Sequence, residues 1–213
     1  MIDLLRQAFG YIADNQDRFG AALWLHVRLS GSALLLSALI FLPLGVLTSR
    51  SRTIGPQIVA LVGAMRVVPS LAVLFLLLPW LGTGFTPALI ALTLLAGPPL
   101  IVNADAGLRG VDPAVIESAH GLGMTGRQVF TRIRLPLALP VILAGLRTAA
   151  VETVASATLA AFIGAGGLGT FILSGMSLVD YRLLLVGGIP VTMLALGSEL
   201  LFDIFERRAV PPS

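Results

Sequence analysis

The sequence predicts an all-α, polytopic membrane protein of about five transmembrane helices, folded as a single domain over residues 1–213. Three observations predict it. Hydrophobic residues make up 56% of the 213-residue chain, charged residues 12%, and the mean hydropathy is +0.95, which leaves too little polar surface for a soluble globule of this size. Apolar stretches recur at about 20 residues, the length a helix needs to cross a hydrocarbon core roughly 30 Å thick. Most arginines lie outside those stretches.

Residues 1–20 do not read as a secretory signal: a basic start is lacking, and Asp3, Asp14 and Asp17 interrupt any apolar core. Leu5, Phe9 and Ile12 recur at helical spacing, which predicts a short amphipathic helix lying on the outer membrane surface, with a floppy arm as the alternative. Spans are predicted at 29–48, 54–80, 86–102, 140–162 and 182–202. Pro69 interrupts the second, which is expected to be one kinked helix, with two short helices as the alternative. The chain has no cysteine, so it offers neither a disulfide framework nor thiolate ligands.

Cytoplasmic loops are enriched in basic residues. An outer N-terminus puts Arg50, Arg52, Arg109, Arg127, Arg132, Arg134, Arg207 and Arg208 on the cytoplasmic side, together with the C-terminus. The outer side then receives Arg6, Arg18, Arg28 and Arg182, and the aromatic residues Tyr11, Trp24, Trp80 and Tyr181 fall at or near the outer interface.

The loop 103–139 is the most informative segment. Asp112 followed by Pro113 is an N-cap and first-turn pair, which predicts a helix running to Gly121 and Gly123. Thr125 and Gln128 have capping-box spacing, which predicts a second helix through Val129, Phe130 and Ile133, ended by Pro136. Val129 and Ile133 share one face at i and i+4, with Arg127, Arg132 and Arg134 around them. Such a projecting element suits a groove on another protein; a loop lying on lipid headgroups is the alternative.

Glu117, Ser118 and Ala119, then Gly123, then Ile133, Leu135 and Pro136 resemble the coupling signature of binding-protein-dependent ABC importer permeases. The family's usual form is Glu-Ala-Ala, three residues, Gly, nine residues, then Ile, any residue, Leu and Pro, so Ser118 is the one departure. Val68-Pro69-Ser70-Leu71-Ala72, the run from Val111 to Glu117, and Phe162-Ile163-Gly164-Ala165-Gly166-Gly167-Leu168-Gly169 look like the branch that imports osmoprotectants such as glycine betaine, choline and carnitine. The stretch 96–100 and Arg66 look less typical of it.

The resemblance implies a type I importer fold of the methionine-permease kind in a bacterial inner membrane. It also implies a cytoplasmic ABC ATPase dimer that receives the 103–139 loop, an extracytoplasmic substrate-binding protein, and a second permease subunit, identical or different. An amino acid such as methionine is the alternative cargo, and a passive channel the alternative class.

The residues themselves agree with a transport subunit that is not an enzyme. Without a single lysine the chain cannot contain G-x-x-x-x-G-K-[ST], so ATP is expected on a partner and no cofactor on this chain. Gly164, Gly166 and Gly169 satisfy G-x-G-x-x-G, but they follow an apolar helix rather than a strand, so a tight loop or an outer gate that includes Gly167 is expected instead of nucleotide binding. His26 and His120 are far apart, no H-E-x-x-H occurs, and Asp105, Asp112 and Glu117 form no tight carboxylate pair. Neither a metal site nor acid–base machinery is expected, and nothing points to nucleic acid.

Charge inside a membrane is costly and tends to be paired or functional. Arg66 and Glu152 each lie about 12 residues into a span, roughly 18 Å deep. They are expected to form a buried pair near the translocation path, beside Pro69 and Ser70, while Arg147 pairs with Glu199. Ala149, Ser156, Ala157, Ala160 and Ala161 would allow close helix contact. With two Trp and two Tyr, all near the outer boundary, the chain lacks an evident aromatic cage for a quaternary ammonium group, so capture by a separate protein is expected.

Overall fold

In the computed structural model, residues 2–209 are described, with side chains through Arg207; the expectation for Arg208 lies outside the described residues. The described chain is mostly helical, without a strand among the described residues. Helix α1 (Ile2–Asp14) leads into α2 (Gln16–Arg50). Next come α3 (Ile54–Ala64) and α4 (Ser70–Leu81), then α5 (Phe85–Leu95) and α6 (Gly97–Arg109). The short α7 (Pro113–Gly121) and α8 (Gly126–Val129) precede α9 (Leu135–Ser156), α10 (Gly169–Leu178) and α11 (Tyr181–Ala209). Four continuous helical stretches among the described residues are long and apolar enough to cross a membrane, and α3 with α4 makes a fifth, broken one.

The broken span is two short helices meeting at 98°, not the single kinked helix that was expected. The cause is local. Pro69 drives the preceding residue out of the helical region, and Val68 is accordingly extended, at φ −75° and ψ 123°. A 3₁₀ turn over Met65–Val67 closes α3, and Pro69 opens α4.

Helix α6 is the centre of the bundle, and small residues let its neighbours come close. A Cβ on Gly45 of α2 would stand 2.6 Å from the Ala104 Cβ, and one on Gly145 of α9 would stand 2.5 Å from the Asn103 Cβ. The Phe41 ring fills the space a Gly97 side chain would need, with ring carbons 2.5 Å from that position. Gly97-Pro98-Pro99, unusual by sequence, therefore opens α6 at a close crossing with α2. Pro98 and Pro99 sit where the first turn has N–H groups without helical acceptors. Ala149, Ala157, Ala160 and Ala161 are buried within the chain, so these small residues make intrachain contacts.

Helix α6 continues to Arg109, seven residues past the predicted span end, and its polar residues bond within the protein. The Asn103 Nδ2 donates to the Pro99 carbonyl at 2.8 Å. The Arg109 Nε donates to Asp105 Oδ2 at 2.7 Å, while its Nη2 donates to the carbonyls of Thr48 and Ser51 at 2.5 and 2.8 Å. One guanidinium thus caps the C-terminal end of α2 and ties it to α6, satisfying carbonyls that the helix leaves free. Helix α9 likewise starts before position 140 and ends at Ser156, followed by a 3₁₀ turn over Leu159–Ile163. The loop expected at 103–139 shrinks to the segment between Arg109 and Gly126.

The N-terminal arm is helical; Ala8 is buried, while Phe9 is mostly exposed at the edge of an apolar hollow against α2 and α11. Tyr11 stands edge-on to Phe171 of α10 at 6.2 Å between centroids, and Arg182 of α11 lies over the Tyr11 ring at 5.2 Å. The arm is docked on α10 and α11 by aromatic and cation–π contacts.

Candidate functional site

The segment between α6 and α9 builds its shape from three local devices. Asp112 Oδ1 accepts the Ala114 N–H at 2.8 Å and starts α7, with Pro113 in the first turn. Helix α7 ends in a Schellman pattern, in which the Met124 N–H reaches the Ala119 carbonyl at 3.2 Å and the Gly123 N–H reaches that of His120 at 2.9 Å. Gly123 has φ +82° with no other atom near a would-be Cβ, so glycine is favoured there by backbone conformation alone. The predicted capping box then forms, with the Thr125 N–H donating to Gln128 Oε1 at 2.8 Å and the Gln128 N–H donating to Thr125 Oγ1 at 3.4 Å.

Pro136 does not end the second helix as expected. A π-helical turn over Phe130–Arg134 joins α8 to α9, and the Leu135 N–H bonds to the Phe130 carbonyl. Pro136 falls in the first turn of α9. A wider turn relieves the clash of a proline ring with the carbonyl four residues back, and the fourth long helix runs from Gly126 to Ser156.

The seven motif residues divide by environment. Glu117, Ser118, Gly123 and Pro136 are exposed, Ile133 and Leu135 are half-buried, and Ala119 is buried. Leu135 packs with Ile116 and Phe130 on a cluster that contains Leu108 and Ala138. Val129, expected on the docking face, turns inward and is 4% exposed. The apolar residue presented at the tip is Leu122, 84% exposed between Gly121 and Gly123. Periodicity missed it because it lies outside both helical repeats; its place between two glycines was the available signal.

Arginines fasten this segment to the bundle. The Arg134 Nε donates to the Leu108 carbonyl at 2.8 Å, closing the last turn of α6, and Arg50 lies 5.2 Å over the Phe130 ring. Arg50, Arg127 and Arg134 line a basic cleft of about 410 Å³ between α7 and α8, together with His120.

Arg66 and Glu152 do meet, though not as a pair. Both line one cavity of about 390 Å³, with Pro69, Ser70, Ala96 and Ser156 also on its wall. No ion pair joins them among the described residues, and both are exposed on the single chain, so the expected buried pair is corrected to two separate charges lining one cavity from different elements. Arg147 does bond Glu199, at 3.5 Å, and also reaches Asp203 and Glu206 at 3.7 and 3.4 Å. Among the described residues no group of three or more His, Cys, Asp or Glu side chains has the arrangement of a metal site.

The glycine-rich loop is packed rather than open. Gly164, Gly166 and Gly167 have φ of +74°, +82° and +83°. A Cβ on Gly166 would stand 2.6 Å from Leu25 Cδ2, and one on Gly169 would overlap the Thr158 carbonyl. The Gly84 N–H bonds the Ile163 carbonyl at 2.8 Å. Beside Gly167, His26 is 0% exposed and its Nε2 lies 3.1 Å from the Val154 carbonyl oxygen.

Comparison with known proteins follows the same lines. The chain is 43% identical over 188 residues to the carnitine transport permease protein OpuCB of Listeria monocytogenes, covering 88% of this chain and 86% of that one. It is 38% identical to the choline transport system permease protein OpuBB of Bacillus subtilis (strain 168), over 87% of this chain and 86% of that one. It is 34% identical to the osmoprotectant import permease protein OsmW of Salmonella typhimurium, over 94% and 96%. In fold it resembles a solved inward-facing MetNI methionine ABC transporter chain, with a TM-score of 0.84, 19% identity, and 92% and 98% coverage. Residues 41–211 match the family described as binding-protein-dependent transport system inner membrane component. With that match and those identities, the chain belongs to this family of inner-membrane permease subunits of ABC importers.

Proposed function

We propose that this chain forms the translocation path of an ATP-driven importer for small quaternary ammonium osmoprotectants: carnitine, choline or glycine betaine. The observation that carries the substrate class is the identity, 43% and 38% over most of the chain, to permeases named for carnitine and choline. A second permease subunit completes the path, and an extracytoplasmic binding protein delivers the solute. The chain's two Trp and two Tyr, which offer no aromatic cage, suit that division of labour.

ATP is bound and hydrolysed by a separate ATPase dimer that receives the tip of the segment between α6 and α9. Its shape supports this reading: Leu122 projects as an apolar knob, Glu117 and Ser118 are exposed, and the basic cleft lies beside them. We place this end of the bundle in the cytoplasm and the N-terminus outside, because Arg50, Arg109, Arg127 and Arg134 gather here. Trp24 neighbours Leu25, which packs on the glycine loop in the opposite half, and Trp80 closes α4 near that loop. The glycine loop then faces the binding protein, where it acts as part of an outer gate.

The test is purification of the tagged chain from its host in mild detergent, followed by assay of copurifying ATP hydrolysis and of uptake in proteoliposomes. The expected result is an ATPase that accompanies the chain and is released when Gly123 is replaced by Trp. Recovery of folded chain without any nucleotide-hydrolysing partner would refute the docking assignment.

A further inference from the structure

We infer that the cavity at the α3–α4 break is a zwitterion site, with Arg66 and the start of α4 holding a carboxylate and Glu152 holding the quaternary ammonium group. The inference rests on the proposed osmoprotectant reading and deepens it. Arg66 and Glu152 line the same cavity of about 390 Å³ yet do not bond each other. A cavity of that size lies within the range of small-ligand pockets, about 300 to 1,000 Å³.

Two opposite charges left separate within membrane-spanning segments are expensive unless water or a ligand satisfies them. A solute carrying both signs answers both walls at once.

The backbone reinforces the same polarity. Helix α4 is twelve residues long and begins at Ser70 on the cavity wall, so its first N–H groups have no helical acceptor and its positive end lies on Arg66's side. Broken membrane helices present half-helix N-termini to anionic groups in this manner. Glu152, Ala155 and Ser156 belong to the last turns of α9, whose negative end adds to the carboxylate on the other side. None of the residues lining the cavity is aromatic, so the ammonium group is met by charge and not by a ring face. Choline has the ammonium group but no carboxylate. It would leave Arg66 without a counter-charge in the cavity, and a site that leaves one of its charges unanswered discriminates against the ligand that does so.

The experiment uses the assembled importer in proteoliposomes with saturating binding protein, and radiolabelled glycine betaine and choline as probes. Arg66→Gln is expected to lower glycine betaine uptake at least tenfold and to raise the choline-to-betaine ratio by a similar factor, whereas Arg66→Lys keeps most uptake. Glu152→Gln is expected to lower both solutes, with Glu152→Asp partly active. Unchanged uptake, or equal loss of both solutes in Arg66→Gln with no rescue by lysine, would overturn the site. Recovery of betaine uptake by Arg66→Glu combined with Glu152→Arg would also overturn it, because a structural pair tolerates exchange and an oriented ligand site does not. A wild-type importer that moves neither solute removes the osmoprotectant reading itself, and this inference with it.

Discussion

Val179 is the one residue other than glycine with positive φ among the described residues, at +54°, and it sits 71% exposed at the turn between α10 and α11. A β-branched side chain in the left-handed region is strained. Relief of that strain outweighs the entropy that glycine adds to the unfolded chain, so Val179→Gly is expected to stabilise the turn by about 1 kcal/mol. The check is the fraction of monodisperse protein left after a heating series in detergent. Next to it, the hydrogen bond from Arg182 lowers the Asp180 carboxyl pKa, aided by the N–H groups of Leu183 and Arg182 that it caps. A lowered folded pKa means that the stabilisation is fully present above about pH 4, the ordinary carboxylate value, and is lost as pH falls through the lowered one. Asp180→Asn should therefore weaken the protein at pH 7 and reduce the further loss seen at pH 3, measured by the same heating assay. An unaltered pH profile would count against the cap. Gly123 and Gly164 illustrate a separate residue-scale rule, since each takes positive φ where a helical turn ends with two reversed hydrogen bonds.

At the scale of elements, the segment between α6 and α9 was legible wherever its signals were local. The cap at Asp112, the glycine exit at 121–123 and the Thr125–Gln128 box can be read from neighbouring residues, and all three form. The fate of Pro136 was not, because a proline early in a helix and one just past its end look alike in sequence; the π-helical turn decides between them. Docking-face residues were misassigned for a related reason. Val129 has helical spacing with Ile133, but the way α8 is fastened to α6 by Arg134 turns it inward and leaves Leu122 at the tip. Leu122→Asp is expected to weaken association with the ATPase at least tenfold, since apolar anchors filling a partner's pocket carry much of such an interface. The chain's own thermal stability should hardly change, because Leu122 is exposed. Titration of the ATPase onto chain held in nanodiscs reads this directly, and undiminished affinity would remove Leu122 from the interface.

At the scale of the whole molecule, Arg109 links three pieces of chain. It bonds Asp105 within α6 and two carbonyls at the end of α2, beside Gly55 of α3, where a Cβ would stand 2.6 Å from its Nη2. Asp105 is 7% exposed, so Arg109→Ala strands a carboxylate and is expected to cost about 3 to 5 kcal/mol. Asp105→Asn added to it should restore part of the loss, as read by yield and monodispersity in detergent. Failure of both variants to differ from wild type would dismiss the linkage. In sequence Arg109 stands in a predicted loop and signals only topology; its structural role depends on residues about 60 positions away.

Hydropathy, capping pairs and proline and glycine positions determined by themselves that the chain is helical, crosses a membrane about five times and presents a short helix capped at Asp112 between the third and fourth spans. These are local properties, because a spanning helix satisfies its own backbone and a cap satisfies its own turn. Tertiary structure alone decided what becomes of the charges. Arg66 and Glu152 share a cavity without bonding, whereas Arg147 gathers three carboxylates of α11. Which of these a charge does depends on how helices distant in sequence cross, and on the 98° break between α3 and α4 that opens one wall of the cavity.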